Sequence, residues 1–288
     1  MARNNQPILV PVDFSEQSLI AVEQACNVAR INNASLILIH VLEESFFSMS
    51  FFSSSDKVKK DLEKKAEQEL LKLKKQLEIG GLQVSTINKS GKVYEEISVA
   101  AKSNKCSLII MGTNGSIGIK KFIGSNALRV VKEAPCPVIT IKGKKHRKGC
   151  DNILLPIDLT KETKEKVAKA IEFAKTYNST IHLANIVNTT DEFLINKLQR
   201  QVAQVKNYID QQEINTTVEA LVTDDAPKDI IKFSKKINAD LIMIMTQEEM
   251  DWTDMFIGSD AQQIINDADI PVLSIKPSKK KYADIFSM

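Results

Sequence analysis

The sequence predicts an α/β protein built as two tandem domains, each a five-stranded parallel sheet with helices on both faces. Three observations carry this expectation. Short apolar runs such as Leu108, Ile109, Ile110 and Met111 do not alternate with polar residues, which is the pattern of strands covered on both faces. These runs alternate with longer amphipathic segments, an order that favours right-handed βαβ crossovers. The pattern also occurs twice in 288 residues: "ILVPVDFSEQSLIAVEQACNVA" near the start is echoed by "ILLPIDLTKETKEKVAKAIEFA" from Ile153.

In the first copy, strands are expected over residues 7–12, 35–41, 82–88, 107–112 and 137–142, and helices over 16–31, 56–78, 93–104 and 125–134. The first helix gathers Val22, Ala25, Cys26 and Ala29 on one face, matched at an offset of 145 by Val167, Ala170, Ile171 and Ala174. Asp13 matches Asp158 at the same offset. The second helix aligns Leu62, Ala66, Leu70, Leu73 and Leu77 among lysines and glutamates. The fourth strand runs into "MGTNGSIGIKKFIGSNA", residues 111–127, where Ser125 suits a helix cap and Ala134-Pro135 ends the helix. That loop joins a strand's C-terminal end to a helix N-terminus, where backbone N–H groups and the helix dipole converge on an anion. Gly112, Gly115 and Gly124 would let the backbone approach a phosphate without a Cβ in the way. The last strand, "PCPVITIK", could pair with a neighbouring domain's edge. Domain bounds are expected at 1–143 and 150–278, joined by the basic stretch from Lys142 to Gly149.

Composition narrows the function classes. Hydrophobic content of 43% and charged content of 26% suit a globular chain, and no segment approaches a membrane span. The start has no apolar leader, so a cytoplasmic setting is expected. The net charge of +3 is concentrated in "KGKKHRKG" and "KPSKKK", the pattern of a solvated linker and tail rather than of a nucleic-acid-binding face. Cys26, Cys106, Cys136 and Cys150 show no C-x-x-C spacing and read as small core residues. His40, His146 and His182 are far apart and suggest neither a zinc site nor a triad.

A first strand ending "PVDFS", a second ending "IHV", then "MGTNG", "IGSNA" and "APCPVITIK" in order resemble the universal stress protein family, here as a tandem member. The resemblance implies a Rossmann-like fold of the adenine-nucleotide α-hydrolase-like group with strand order 3-2-1-4-5. It also implies pairing of two such domains, within a chain or as a homodimer, and in one branch of the family ATP binding, with or without Mg²⁺. Carried onto this chain, Gly112 and Gly115 would contact ribose and phosphates, while Gly124, Ser125 and Asn126 would hold phosphates at the helix N-terminus. Asp13 and the backbone around Pro11 and Val12 would approach the nucleoside, Val41 backbone would read the adenine edge, and Met111 would border the pocket. The family pattern places nine residues between the second glycine and the glycine before Ser or Thr; here eight separate Gly115 from Gly124.

Beyond its middle, the second copy aligns with the first at an offset of 134, which sets Thr246 opposite Gly112 and Glu249 opposite Gly115. Asp251, Asp254 and Asp260 add negative charge that would repel a polyphosphate, so this domain reads as a degenerate structural partner that keeps Gly258 and Ser259. Neither a G-x-x-x-x-G-K-[ST] loop nor a G-x-G-x-x-G fingerprint is present. Asp13 and Glu16 could position water, and slow ATP hydrolysis is compatible with such a site, although fixed carboxylates at strand ends are more often ligand contacts or helix starters. A second function class stays open, an interaction module, supported by "SFFSMSFFSSS", residues 45–55, as a lid, a partner surface or a loop folded on its own core.

Overall fold

The computed structural model describes residues 6–43, 55–113, 125–142, 149–159, 163–246 and 257–277. The chain divides into two compact units, Met1–His146 and Arg147–Met288. In the first, β1 (Ile8–Pro11), α1 (Glu16–Asn32), β2 (Leu36–Glu43), α2 (Ser55–Ile79), β3 (Val84–Gly91), α3 (Val93–Ser103), β4 (Leu108–Gly112), α4 (Ser125–Glu133) and β5 (Val138–Ile141) follow in turn. The second repeats them as β6 (Asn152–Ile157), α5 (Thr163–Tyr177), β7 (Thr180–Val187), α6 (Glu192–Asp210), β8 (Thr216–Val222), α7 (Ala226–Lys236), β9 (Leu241–Met245), α8 (Ser259–Asp267) and β10 (Val272–Ile275).

Strand order is β3-β2-β1-β4-β5 in the first unit, and the second follows the same order as β8-β7-β6-β9-β10. The ladders are parallel, with Ile8 opposite both Leu36 and Leu108, and Ile153 opposite both Ile181 and Leu241. Leu9, Val10, Leu36, Leu38, Ile109 and Ile110 are fully buried, which is why these strands carry no polar alternation. Each such side chain contributes about 1.5–3 kcal/mol relative to exposure. Strand order reverses between β1 and β4, the place at which an open parallel sheet offers a crevice outside its strand ends.

Local chemistry sets the helix ends. Ser15 caps α1, its Oγ accepting from Ser18 N–H at 3.2 Å, and Asn33 closes that helix in the left-handed region at φ 52°. On α2 the apolar stripe seats Ala66 and Leu70 in the core, whereas Leu62, nearer the N-terminus, is left 41% exposed.

The register corrects one expectation. Gly112 lies opposite Ile141, and Met245, not Thr246, lies opposite the equivalent Ile275. Thr246 is the counterpart of Thr113: each donates its N–H at 3.0 Å and its Oγ1 at 3.4 Å to the carbonyl of Ile141 or Ile275. Over the fourth strand the two copies are therefore offset by 133, and by 134 only from Gly258 onward, because the first copy's loop is one residue shorter. Carrying the later offset back through the loop displaced the comparison by one residue.

Candidate functional site

In the first unit β1 stops at Pro11, opposite Ile39, while β2 continues to Glu43. Ser35 and Ile39 turn their carbonyls to the β1 side, accepting from Ile8 N–H at 2.9 Å and Val12 N–H at 2.8 Å. In a parallel strand alternate residues direct their backbone groups to the same side. Val41 therefore presents its N–H and C=O past the end of β1, toward the crevice, while its neighbours keep β2 paired with β3. Val12 itself is buried and Pro11 and Val41 are half-buried, so this backbone edge is held rigidly.

Asp13 follows at the rim. Its Oδ1 accepts from Ser15 N–H at 3.0 Å and from Ser15 Oγ at 2.5 Å, an Asx turn that leads into α1. The turn forces Phe14 into the left-handed region at φ 62°, a conformation costly for a bulky residue and concentrated at functional sites. Phe14 packs against His40 with ring centroids 5.1 Å apart. His40 Nδ1 lies 2.8 Å from the Val12 carbonyl; since a carbonyl only accepts, Nδ1–H is the donor.

Met111 is buried in β4, and Gly112 ends that strand. A Cβ at Gly112 would lie 2.9 Å from both Cγ and the backbone O of Gln17, so the glycine permits close approach of the first turn of α1. Gln17 Nε2 also donates to the Ile141 carbonyl at 2.9 Å, tying α1 to β5 across the end of β4. Ser125 opens α4, and Asn126 is half-buried in its first turn. Gly115 and Gly124 lie outside the described residues, as do residues 45–54, Asp251 and Asp254.

The crevice edge thus brings together Pro11, Val12, Asp13 and Val41, with Met111 and Gly112 at the end of the neighbouring β4. It sets a backbone donor and acceptor side by side next to a rim carboxylate. Sequence reasoning missed Gln17, Phe14 and His40. The signal for His40 was its place one residue before Val41 in "IHV".

The second unit is built differently at the same place. Met245 replaces Gly112, and Asn185 stands in the register position of His40, 5% exposed and with no hydrogen-bond partner at Oδ1 among the described residues. The Asp158 carbonyl accepts from Gln201 Nε2 at 3.1 Å, so a side chain of α6 reaches over the strand end that in the first unit is the rim. Gly258 N–H donates to the Thr246 carbonyl at 3.1 Å, bringing the two ends of that loop together.

A model of the universal stress protein family matches residues 4–142 and again 149–276. The chain belongs to the universal stress protein family. A universal stress protein of Methanocaldococcus jannaschii is 34% identical over 140 residues, covering 48% of this chain and 82% of that protein. The solved structure of a universal stress protein from Archaeoglobus fulgidus covers 96% of this chain and 98% of its own at 20% identity, with a TM-score of 0.75. Another from Archaeoglobus fulgidus, solved in complex with dAMP, covers 44% of this chain at 20% identity with a TM-score of 0.38.

Elsewhere the chemistry is quiet. Among the described residues no group of three or more His, Cys, Asp or Glu could hold a metal ion, and no helix is long and apolar enough to cross a membrane. Burial pushes the thiol of Cys106 up to about 11 and those of Cys136 and Cys150 to about 12. These are inert packing groups rather than nucleophiles.

Proposed function

We propose that the first domain, residues 1–143, binds ATP, with or without Mg²⁺, and that the protein acts in the cytoplasm as a nucleotide-responsive stress-tolerance factor. The observation that carries this reading is the backbone edge of Val41, open past the end of β1 and next to the Asp13 carboxylate. A backbone donor and acceptor at a half-buried strand end gain from a partner, and a base edge supplies both at once. In this reading Val41 N–H and C=O pair with adenine. The backbone of Pro11 and Val12 and the side chain of Met111 border the nucleoside, and Asp13 accepts from ribose hydroxyls. Gly112 and Gly115 let the loop approach ribose and phosphates, and Gly124, Ser125 and Asn126 hold the phosphates at the start of α4. The bound nucleotide supplies a charged, exchangeable ligand whose level the protein can report.

In this reading the second domain, residues 150–278, is the degenerate copy. Met245 fills the glycine position and Gln201 reaches the rim carbonyl, so its role is structural. The test is to identify any small molecule released from freshly purified protein and then to titrate ATP with Mg²⁺ by calorimetry on wild type and Gly115→Glu. One ATP per chain, lost in the variant, is expected. Absence of binding at millimolar ATP would overturn the reading and favour an interaction module of the same fold.

A further inference from the structure

One left-handed residue of the first unit has no helix end to close. Among the described residues six non-glycine residues hold a positive φ, and Asn33, Lys105, Asn178, Glu213 and Asn238 each follow the C-terminal end of a helix within three residues, where this conformation ends the helix. Phe14 instead precedes a helix, at φ 62°. In an Asx turn the aspartate side chain stands in for the first residue of a β-turn. That puts Phe14 at the third position, where the forms with positive φ favour Gly or Asn. A bulky aromatic is the costly choice there.

Helix capping does not account for it. Ser15 caps α1 through its own Oγ, and in the second unit Asp191 and Asp225 start α6 and α7 without a left-handed residue beside them. What Phe14 adds is a ring, its centroid 5.1 Å from that of His40. The imidazole is itself anchored. His40 Nδ1–H donates to the Val12 carbonyl at 2.8 Å and Val12 N–H donates to Ile39 O at 2.8 Å, so two successive residues of β2 hold the residue before Asp13. Asp13 Oδ1 in turn accepts from Ser15 N–H and Oγ. In the second unit Leu159 and Asn185 take the places of Phe14 and His40, and the Asp158 carboxylate is approached instead by Thr163 Oγ1, at 3.5 Å from the first turn of α5.

A glycine at residue 14 would make the same turn without strain and would leave Asp13 free to swing. The strained aromatic gives up stability for a fixed direction, and a local rule broken in that way marks function. We propose that His40 and Phe14 are a positioning pair: the imidazole, clamped to Val12, holds Phe14 in the left-handed turn and so aims the Asp13 carboxylate at sugar hydroxyl groups of the ligand. This rests on the ATP reading above. Neither ring touches the ligand. Their part is to keep a water-exposed rim carboxylate in one orientation before the sugar arrives, which removes an ordering cost from binding.

The experiment is calorimetric titration of the full chain with ATP and with 2′,3′-dideoxy-ATP, which lacks the sugar hydroxyls, for wild type, Asp13→Ala, His40→Asn and Phe14→Gly. Wild type should prefer ATP about 10-fold, as expected for hydrogen bonds to a charged acceptor, and Asp13→Ala should abolish the preference. His40→Asn keeps an N–H at the place of Nδ1 but removes the ring; Phe14→Gly enters the left-handed region freely but offers no ring. Each should cut the preference to about twofold, with dideoxy-ATP still bound within about twofold of wild type. Adding His40→Asn to Asp13→Ala should cost nothing further. A preference that survives in both ring variants, equal losses for the two nucleotides, or a wild type without preference overturns the proposal while leaving the ATP reading in place. Wild type that takes up neither nucleotide overturns both.

Discussion

Replacing Gly112 with alanine tests whether this glycine is fixed by packing. The added methyl would sit 2.9 Å from Gln17 Cγ, 2.9 Å from Gln17 O and 3.0 Å from Gln17 C. Two of these atoms are backbone, so a rotamer change of Gln17 cannot clear the space; the first turn of α1 has to move by a few tenths of an ångström. Overpacking of this kind typically costs about 1–3 kcal/mol, and alanine returns about 0.5–1 kcal/mol through the less flexible unfolded chain. The net loss is about 0.5–2 kcal/mol, which for a domain of this size lowers the melting temperature by about 2–6 °C. Thermal melts of the full chain followed by circular dichroism measure it. Adding Gln17→Ala removes Cγ but not the backbone oxygen, so the double variant should recover only part of the loss. A melting temperature within about 1 °C of wild type for the single variant would refute the packing argument.

Other expectations follow from single features. Asp191 Oδ1 accepts from Phe193 N–H at 2.8 Å and Leu194 N–H at 3.3 Å; in urea titrations Asp191→Ala should therefore cost about 1 kcal/mol, with Asp191→Asn retaining most of it. Lys105 holds φ at 51° in the left-handed region; Lys105→Gly should stabilise by about 0.5 kcal/mol, and a destabilised variant would show the backbone is not strained there. Burial lowers the pKa of His182 below its ordinary value near 6.5. The unfolded chain therefore takes up the proton first as pH falls: stability is complete above about 6.5 and declines through the folded value, a slope that His182→Gln should flatten in denaturation series between about pH 7.5 and about pH 5. The buried, raised thiols of Cys106 and Cys150 should resist alkylation at about pH 8 until the chain is unfolded, and labelling of either in the native protein at the rate of a free thiol would contradict its burial.

Much of the fold was legible because parallel strands covered on both faces read as unbroken apolar runs. The fourth strand was expected over 107–112 and spans Leu108–Gly112, and the first helix was expected over 16–31 and spans Glu16–Asn32. The candidate site was legible only as positions at strand ends: Asp13 and Val41 fall at places that topology alone makes special. Gln17 was invisible because its role arises from two elements meeting, α1 and β4, and no spacing in the sequence encodes that contact. The contact of Phe14 with His40 was equally hidden, since the whole of α1 separates the two in the chain. The one-residue error at Thr246 came from a loop, where length varies without disturbing the ladder; the hydrogen bonds of Thr113 and Thr246 to their neighbouring strands decide the register.

That register bears on how the two halves diverged. Duplication begins from identical loops, yet here the loops differ in length by one residue, and the copy with the longer loop carries Met245 where the other has Gly112, although both retain the glycine before the following helix. The ladder hydrogen bonds thus hold both strand ends in one register while the connection beyond them is free to change length, so loop and sheet can vary independently in each half.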